Sequence, residues 1–371
     1  MTGFVPPPYP YDRLAPLKAR AEAVPGGIVD LSVGTPCDPP PALAVAAAWA
    51  VLAEGTGARS YPPSIGTPAY REAAAGWLQR RFDIALPASQ LAACIGTKEL
   101  VAGIPNWLRL RTPERDTVLF PAISYPTYAM GATLAGCRAV PVPVDDAWRL
   151  RLDAIEPADA ARALCLWVNS PGNPAGGIDD LGAAAAWGRQ RDVPVLSDEC
   201  YAEFTWDGPA RSILQHGDSG VMAVHSLSKR SNFAGGRIGF YAGDADLVTY
   251  LAEVRKHAGL MAAGPAQAAG AAAWGDDAHV TDQRSRYRER LDLLVSALTS
   301  TGLDVTRPAG AFYLWVPAPD GDAWSLAERL AAEAGALVSP GEFYGPTGAG
   351  FVRVAAVQPT DRIALLADRL A

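Results

Sequence analysis

The chain has 371 residues, 49% of them apolar and 19% charged. That is enough for about two domains and a full hydrophobic core, which excludes a disordered chain or a fibre. Lys and Arg number 32 against 39 Asp and Glu, a net charge of −7, the wrong sign for a general nucleic-acid binder, so any phosphate has to be held locally.

Five scattered cysteines, Cys37, Cys94, Cys137, Cys165 and Cys200, make neither a disulfide framework nor a zinc clamp, which fits a reducing compartment. The start, Met1-Thr2-Gly3-Phe4 running into Pro6-Pro7-Pro8, lacks the basic stretch and apolar core of a signal peptide. Apolar stretches at 43–53 and 258–274 are too short, or are interrupted by Gly264, Pro265 and Gln267, to span a bilayer. The expectation is a soluble, cytoplasmic protein without a membrane partner, a nucleic-acid partner or a metal.

In chain order, the first forty residues are Pro-rich with little apolar periodicity, and are expected to pack against the C-terminal part. Alanine runs at 44–50 and 183–186 are good helix formers rather than low-complexity linkers. From residue 117, strands at 117–121, 138–144, 163–169, 193–198, 222–226 and 237–242 alternate with helices such as 127–135, 179–191 and 245–257. Near-continuous apolar strands of this kind are buried and mostly parallel, and the alternation is that of an α/β layer fold. The rhythm then changes to helix 285–300, strand 311–316, helix 324–334, strand 351–356 and helix 361–370, with Thr360 as N-cap of the last. These elements predict a large α/β domain over 41–270, with a mostly parallel sheet flanked by helices. A smaller α+β domain is expected from 1–40 together with 271–371.

Three segments carry chemistry, each just past a strand. In Ser226-Leu227-Ser228-Lys229, followed by Gly235-Gly236-Arg237, a lysine hemmed by small residues is placed for a lowered pKa and a Schiff base. Ser226, Ser228 and Arg237 add two hydroxyls and a guanidinium fork suited to a phosphate. Ser197-Asp198-Glu199-Cys200-Tyr201 puts a carboxylate at a strand's carboxyl end, where open α/β sheets bind ligands. It would face a pyridine nitrogen or, equally, cap a helix. In Asn169-Ser170-Pro171-Gly172-Asn173-Pro174 the proline restricts Asn173, which would donate to a phenolate oxygen or simply shape a turn.

Taken together and in order, these segments resemble the class I and II aminotransferases, fold-type I enzymes that use pyridoxal 5'-phosphate, over essentially the whole chain. The resemblance implies Lys229 as Schiff-base lysine and proton shuttle, Asp198 against the pyridinium nitrogen, and Asn173 and Tyr201 on the ring oxygen. It implies a phosphate cup at Ile95-Gly96-Thr97-Lys98, with Thr97 and Lys98 offering backbone N–H groups. Ser226, Ser228 and Arg237 complete the phosphate contacts, and Tyr125 stacks on the ring. Arg353, costly inside an apolar strand otherwise, resembles the arginine that grips the substrate α-carboxylate, with Gly34 beside it. Tyr61 resembles the tyrosine that reaches the partner subunit's phosphate, which implies a homodimer with shared active sites. The chain departs from the family at Ala175, where Thr is usual, and at Gly236, where a larger residue is frequent.

More specific phrases, among them Ile28-Val29-Asp30-Leu31-Ser32-Val33-Gly34, Val224-His225-Ser226 and Arg255-Lys256-His257-Ala258-Gly259, resemble the actinobacterial N-succinyldiaminopimelate aminotransferases of lysine and diaminopimelate biosynthesis. That resemblance implies L-glutamate as donor and N-succinyl-2-amino-6-oxopimelate as keto-acid acceptor, whose distal charge needs a cation: Lys98, Arg255, Lys256 or Arg230. The rival readings are another class I or II aminotransferase, a pyridoxal-dependent lyase, or a regulator's sensor domain. The last lacks a basic helix-turn-helix segment here.

Overall fold

The computed structural model describes residues 3–371. Its strands, in chain order, are β1 Val29–Asp30, β2 Leu91–Cys94, β3 Thr117–Pro121, β4 Arg138–Val142, β5 Ala163–Asn169, β6 Val195–Asp198, β7 Val221–Ser226, β8 Gly239–Gly243, β9 Tyr313–Pro317, β10 Ala336–Leu337, β11 Ser339–Pro340 and β12 Phe351–Ala355.

Residues 35–285 and 308–311 form the larger unit. Its seven-stranded sheet runs β2-β8-β7-β6-β5-β3-β4, parallel except for β8, which lies antiparallel between β2 and β7. The central strands are buried on both faces. Leu166 and Val168 of β5 enter one core with Trp77 and Trp274, while Trp167 enters the other with Leu100, Ile104 and Tyr241. Burial of both faces is what makes these strands read as unbroken apolar runs. The covering helices start where local chemistry tells them to. Thr67 accepts the Tyr70 N–H ahead of helix Pro68–Phe82, with Pro at its first turn; Asp180 accepts the Ala183 N–H ahead of helix Leu181–Arg191.

Residues 3–34, 286–307 and 312–371 form the smaller unit. It has a three-stranded antiparallel sheet, β11-β12-β9, and the short parallel pair β1-β10. Helix Ala323–Ala334 begins on Asp322, whose carboxylate takes the N–H groups of Trp324 and Ser325.

Several boundaries move from those expected. The unit boundary falls inside helix Ala278–Ser300, which starts seven residues before the expected 285 because the Asp276 carboxylate takes the N–H groups of Ala278 and His279. Gln283 bonds Asp38, and Arg284 bonds the carbonyls of Glu203 and Thr205, so 271–285 belong with the larger unit. The stretch 308–311 joins it too, through the bridge between Gly310 and Thr205. Thr360 is not the N-cap of the last helix but its first residue: Pro359 is the extended residue before it, with no side-chain cap. β2, Ala-rich and only four residues long, was not among the expected strands. Among the described residues no helix is long and apolar enough to cross a membrane, and the five cysteines are free thiols.

Candidate active site

At the carboxyl end of the larger sheet, β2, β6, β7 and β8 bring four segments together. Gly239 at the start of β8 pairs with Cys94 on one side and with Ser226 on the other. A Cβ on it would lie 3.2 Å from the Thr97 methyl. Thr97 opens helix Thr97–Arg111, and Gly96 before it has φ +69, a conformation cheap only for glycine. A Cβ on Gly96 would stand 2.4 Å from Arg237 Nη2, so the guanidinium lies directly on the turn. Arg237 is itself left-handed, at φ 48, and donates to the Ala234 carbonyl at 3.0 Å. Helix-start N–H groups beside a guanidinium form a cradle for a doubly charged anion.

The turn is braced from behind. Glu99 Oε1 accepts the Ile95 N–H at 3.0 Å, and the buried Arg255 clasps the Glu99 carboxylate at 3.0 and 2.5 Å.

β7 ends at Ser226, whose hydroxyl oxygen accepts the Ser228 N–H at 3.0 Å and caps the short helix Leu227–Arg230, while its proton goes to Ser228 Oγ at 2.9 Å. Lys229 rides on that turn. Arg230, only 1% exposed, is spent inward, on Glu203, Asp277 and the carbonyls of Ala273 and Asp276. Gly236 answers to local packing: a Cβ there would sit 2.1 Å from the Phe233 ring.

Asp198 ends β6. Its Oδ2 accepts the Tyr128 hydroxyl at 2.9 Å and its Oδ1 the Cys200 N–H at 3.2 Å. Burial pushes the carboxyl above its ordinary range, against the pull of hydrogen bonds from Cys200 and Tyr128 and the field of His225. Tyr128 is stacked on Trp167 with centroids 5.1 Å apart, so its hydroxyl is aimed by a rigid pair. Cys200 Sγ lies 3.5 Å from Thr97 Oγ1, linking the carboxylate's turn to the cradle.

Asn169 organises the next loop. It donates to the Asp198 carbonyl at 2.9 Å and accepts the Asn173 N–H at 2.8 Å, which places Asn173 beside β6. Tyr201 is buried one turn beyond Asp198. Tyr125 packs edge-on to Tyr128 at 6.1 Å, with Lys98 Nζ 5.9 Å over its ring. Tyr61 is 90% exposed.

The smaller unit holds Gly34 and Arg353. Arg353, 2% exposed, lies between the rings of Tyr313 at 4.3 Å and Tyr344 at 4.7 Å, and donates to the Ser32 carbonyl at 2.6 Å. A Cβ on Gly34 would overlap the Tyr313 hydroxyl at 2.1 Å, so glycine is what lets that ring lie where it does.

Of the four cations expected for a distal charge, the structure removes two. Arg230 and Arg255 are buried and consumed by acids, and Lys256 pairs on the surface with Glu253 at 3.2 Å. Reading the sequence missed Tyr128, Asn169 and the Glu99–Arg255 clasp. Asn169 and Arg255 stood in quoted segments, but the role of each depends on a partner distant in sequence or on the fold.

The family model described as aminotransferase class I and II matches residues 27–370. The chain is 42% identical to 4-dedimethylamino-4-oxo-anhydrotetracycline transaminase OxyQ of Streptomyces rimosus, over 98% of this chain and 99% of that one. It is 44% identical to a probable aminotransferase of Mycobacterium tuberculosis, over 98% of this chain and 85% of the other. Its fold matches that of a probable N-succinyldiaminopimelate aminotransferase from Thermus thermophilus with a TM-score of 0.87 at 28% identity, covering 97% and 98% of the two chains. The chain belongs to the class I and II aminotransferases, a family that depends on pyridoxal 5'-phosphate.

Proposed function

We propose that this aminotransferase moves an amino group from L-glutamate to N-succinyl-2-amino-6-oxopimelate, as a cytoplasmic homodimer with shared active sites. The reading rests first on how well the residues suit the cofactor. A buried carboxylate whose hydrogen bonds come from neutral donors, as on Asp198, suits a protonated ring nitrogen. The turn where Arg237 lies on Gly96 suits a phosphate. Thr97, Lys98, Ser226, Ser228 and Arg237 would hold that phosphate, Asn173 and Tyr201 the ring oxygen, and Tyr125 a ring face.

Bound there, the cofactor supplies a carbonyl that condenses with amines and an electron-poor ring that takes up the Cα electron pair. Lys229 Nζ, on the turn after β7, would be the amine with which that carbonyl condenses and, once free, the base within reach of the substrate Cα proton. Asp198 holds the ring-nitrogen proton, without which the ring draws electrons poorly. Arg353 and Gly34 hold the α-carboxylate, and the planar guanidinium fixes its orientation as lysine would not.

The observation that carries the substrate reading is the fate of the four cations. With Arg230 and Arg255 locked into acids, we assign the distal carboxylate to Lys98 over Tyr125. Dimerisation is supported by helix Ala42–Glu54, which exposes Leu43, Val45, Trp49 and Leu52, and by the exposed Tyr61.

The test is an absorbance titration of the purified holoenzyme. Glutamate should bleach the visible cofactor band, and the succinylated keto acid should restore it. Restoration only by other keto acids removes the acceptor and keeps the transaminase. A second reading, amination of a polycyclic ketone, is favoured by the 42% identity to the Streptomyces enzyme over 99% of its length; restoration by such a ketone alone selects it.

A further inference from the structure

The smaller unit places an unassigned phenol against Arg353. Tyr11 sits in the turn Pro10–Leu14, and its oxygen lies 3.3 Å from Arg353 Nη2 and 2.8 Å from the Tyr344 hydroxyl. Its ring packs on Phe343 at 5.5 Å. The strap that carries it is pinned on its other side. Arg13 pairs with Glu342 at 2.6 Å and lies 4.7 Å over the Trp324 ring, and Leu14 and Leu17 are buried. The phenol is therefore fixed at the guanidinium rather than passing by it.

The hydrogen-bond arithmetic gives the hydroxyl a task. An oxygen that takes the Arg353 N–H on one lone pair can take the Tyr344 O–H on the other, which leaves the Tyr11 proton for a ligand oxygen. Tyr344, Tyr313 and Ser32 around Arg353 are all buried, whereas Tyr11 is half-buried, so it is the group among these four that meets an incoming molecule. We propose that Tyr11 is a second donor to the substrate α-carboxylate, giving its O–H to one carboxylate oxygen while Arg353 holds the carboxylate. This rests on the reading of Arg353 above. Packing alone would be served by phenylalanine, so the hydroxyl is the part at issue.

The test uses the holoenzyme and 2-methyl-L-glutamate, an amino acid without a Cα proton, so that binding is read from the shift of the visible cofactor band without turnover. Tyr11→Phe keeps the ring on Phe343 and should leave the resting band unchanged. It should raise the Kd of the probe by about tenfold, the loss of one hydrogen bond to a charged group. Arg353→Lys should raise it further. Unchanged affinity in Tyr11→Phe overturns the proposal; if Arg353→Lys is weakened in the same series, the carboxylate reading survives. Unchanged affinity in both variants, or no band shift in the wild type, overturns the carboxylate reading and the proposal with it.

Discussion

Asp198 and Glu203 lie five residues apart and are buried alike, 7% and 6% exposed, yet they sit in opposite electrostatic settings. Glu203 is held by two guanidiniums, Arg230 at 3.2 Å and Arg81 at 2.7 Å, and by the Trp77 N–H at 2.9 Å. Asp198 is hydrogen-bonded by a phenol and the Cys200 turn, and burial drives its pKa up. The protein balances the first carboxylate itself. The second it leaves costly, as befits a group whose counter-charge arrives with a ligand. Charge balance, rather than burial, separates the two carboxylates.

The largest test of that division is at the lysine beside it. Lys229→Ala should lower kcat by at least about 10³-fold, because amine and proton carrier are lost together. It should also abolish the visible band; steady transamination with an unchanged band would remove Lys229 from the site. Asp198→Ala should cost about 10²-fold in kcat, with normal rates marking Asp198 as a mere cap. Glu203→Gln should leave the band in place and instead cost about 3 kcal/mol of stability, as unpairing a buried ion does. Urea unfolding of the two variants side by side reads the contrast. If Glu203→Gln loses the cofactor while Asp198→Ala unfolds, the roles are reversed.

The comparison sharpens in the cofactor-free enzyme. Burial raises the folded-state pKa of Asp198 above its unfolded value of about 3.9. The folded chain therefore holds a proton that the unfolded chain releases, and stability falls as pH rises from about 4 through the folded pKa. Above that folded pKa the apoenzyme bears the full penalty. Asp198→Asn should raise the Tm of the apoenzyme there, yet gain less than the wild type when pyridoxal phosphate is added. Thermal scans with and without the cofactor check both signs; a lower apo Tm would mean the carboxylate is already balanced.

What could be read in advance divides along the same line. β5, β6 and β7 were legible because strands buried on both faces are continuous apolar runs, and the turns after them carry Asn, Asp, Ser and Lys in short motifs. The role of Tyr128 was not, since it meets Asp198 seventy residues away and nothing local marks that partner. Arg230 looked available because it follows Lys229; only folding shows that Glu203 and Asp277 close around it. β2 was missed because Leu-Ala-Ala-Cys carries little strand propensity, and its pairing with β8 decides the matter. Local chemistry writes itself into short segments, whereas charge balance across the fold does not.

The smallest effect lies where the two settings meet, on Ser231, which closes the helix carrying Lys229. Its Oγ lies 2.8 Å from His279 Nε2, and His279 Nδ1 lies 2.5 Å from Asp276. This is the order of a hydrolase triad, but Ser231 is wholly buried, so no substrate reaches it and the chain of bonds acts as a latch. Burial lowers the His279 pKa, with Arg230 pushing the same way and Asp276 and Glu203 opposing. A neutral ring accepts the Ser231 proton at Nε2, and a protonated one has no lone pair there to accept it. With its folded pKa below the unfolded value of about 6.5, His279 contributes stability that is present above about pH 6.5 and is lost as pH falls towards the folded pKa. From pH 7 to pH 5 this group therefore withdraws stability from the apoenzyme, by at most about 1.4 kcal/mol per pH unit, against what Asp198 returns over the same fall. His279→Gln, which keeps an acceptor but cannot titrate, should remove that share, so that between the two pH values the variant loses less Tm, or gains more, than the wild type in thermal scans. If the variant follows the wild type through the same window, the latch titrates elsewhere and His279 is only packing.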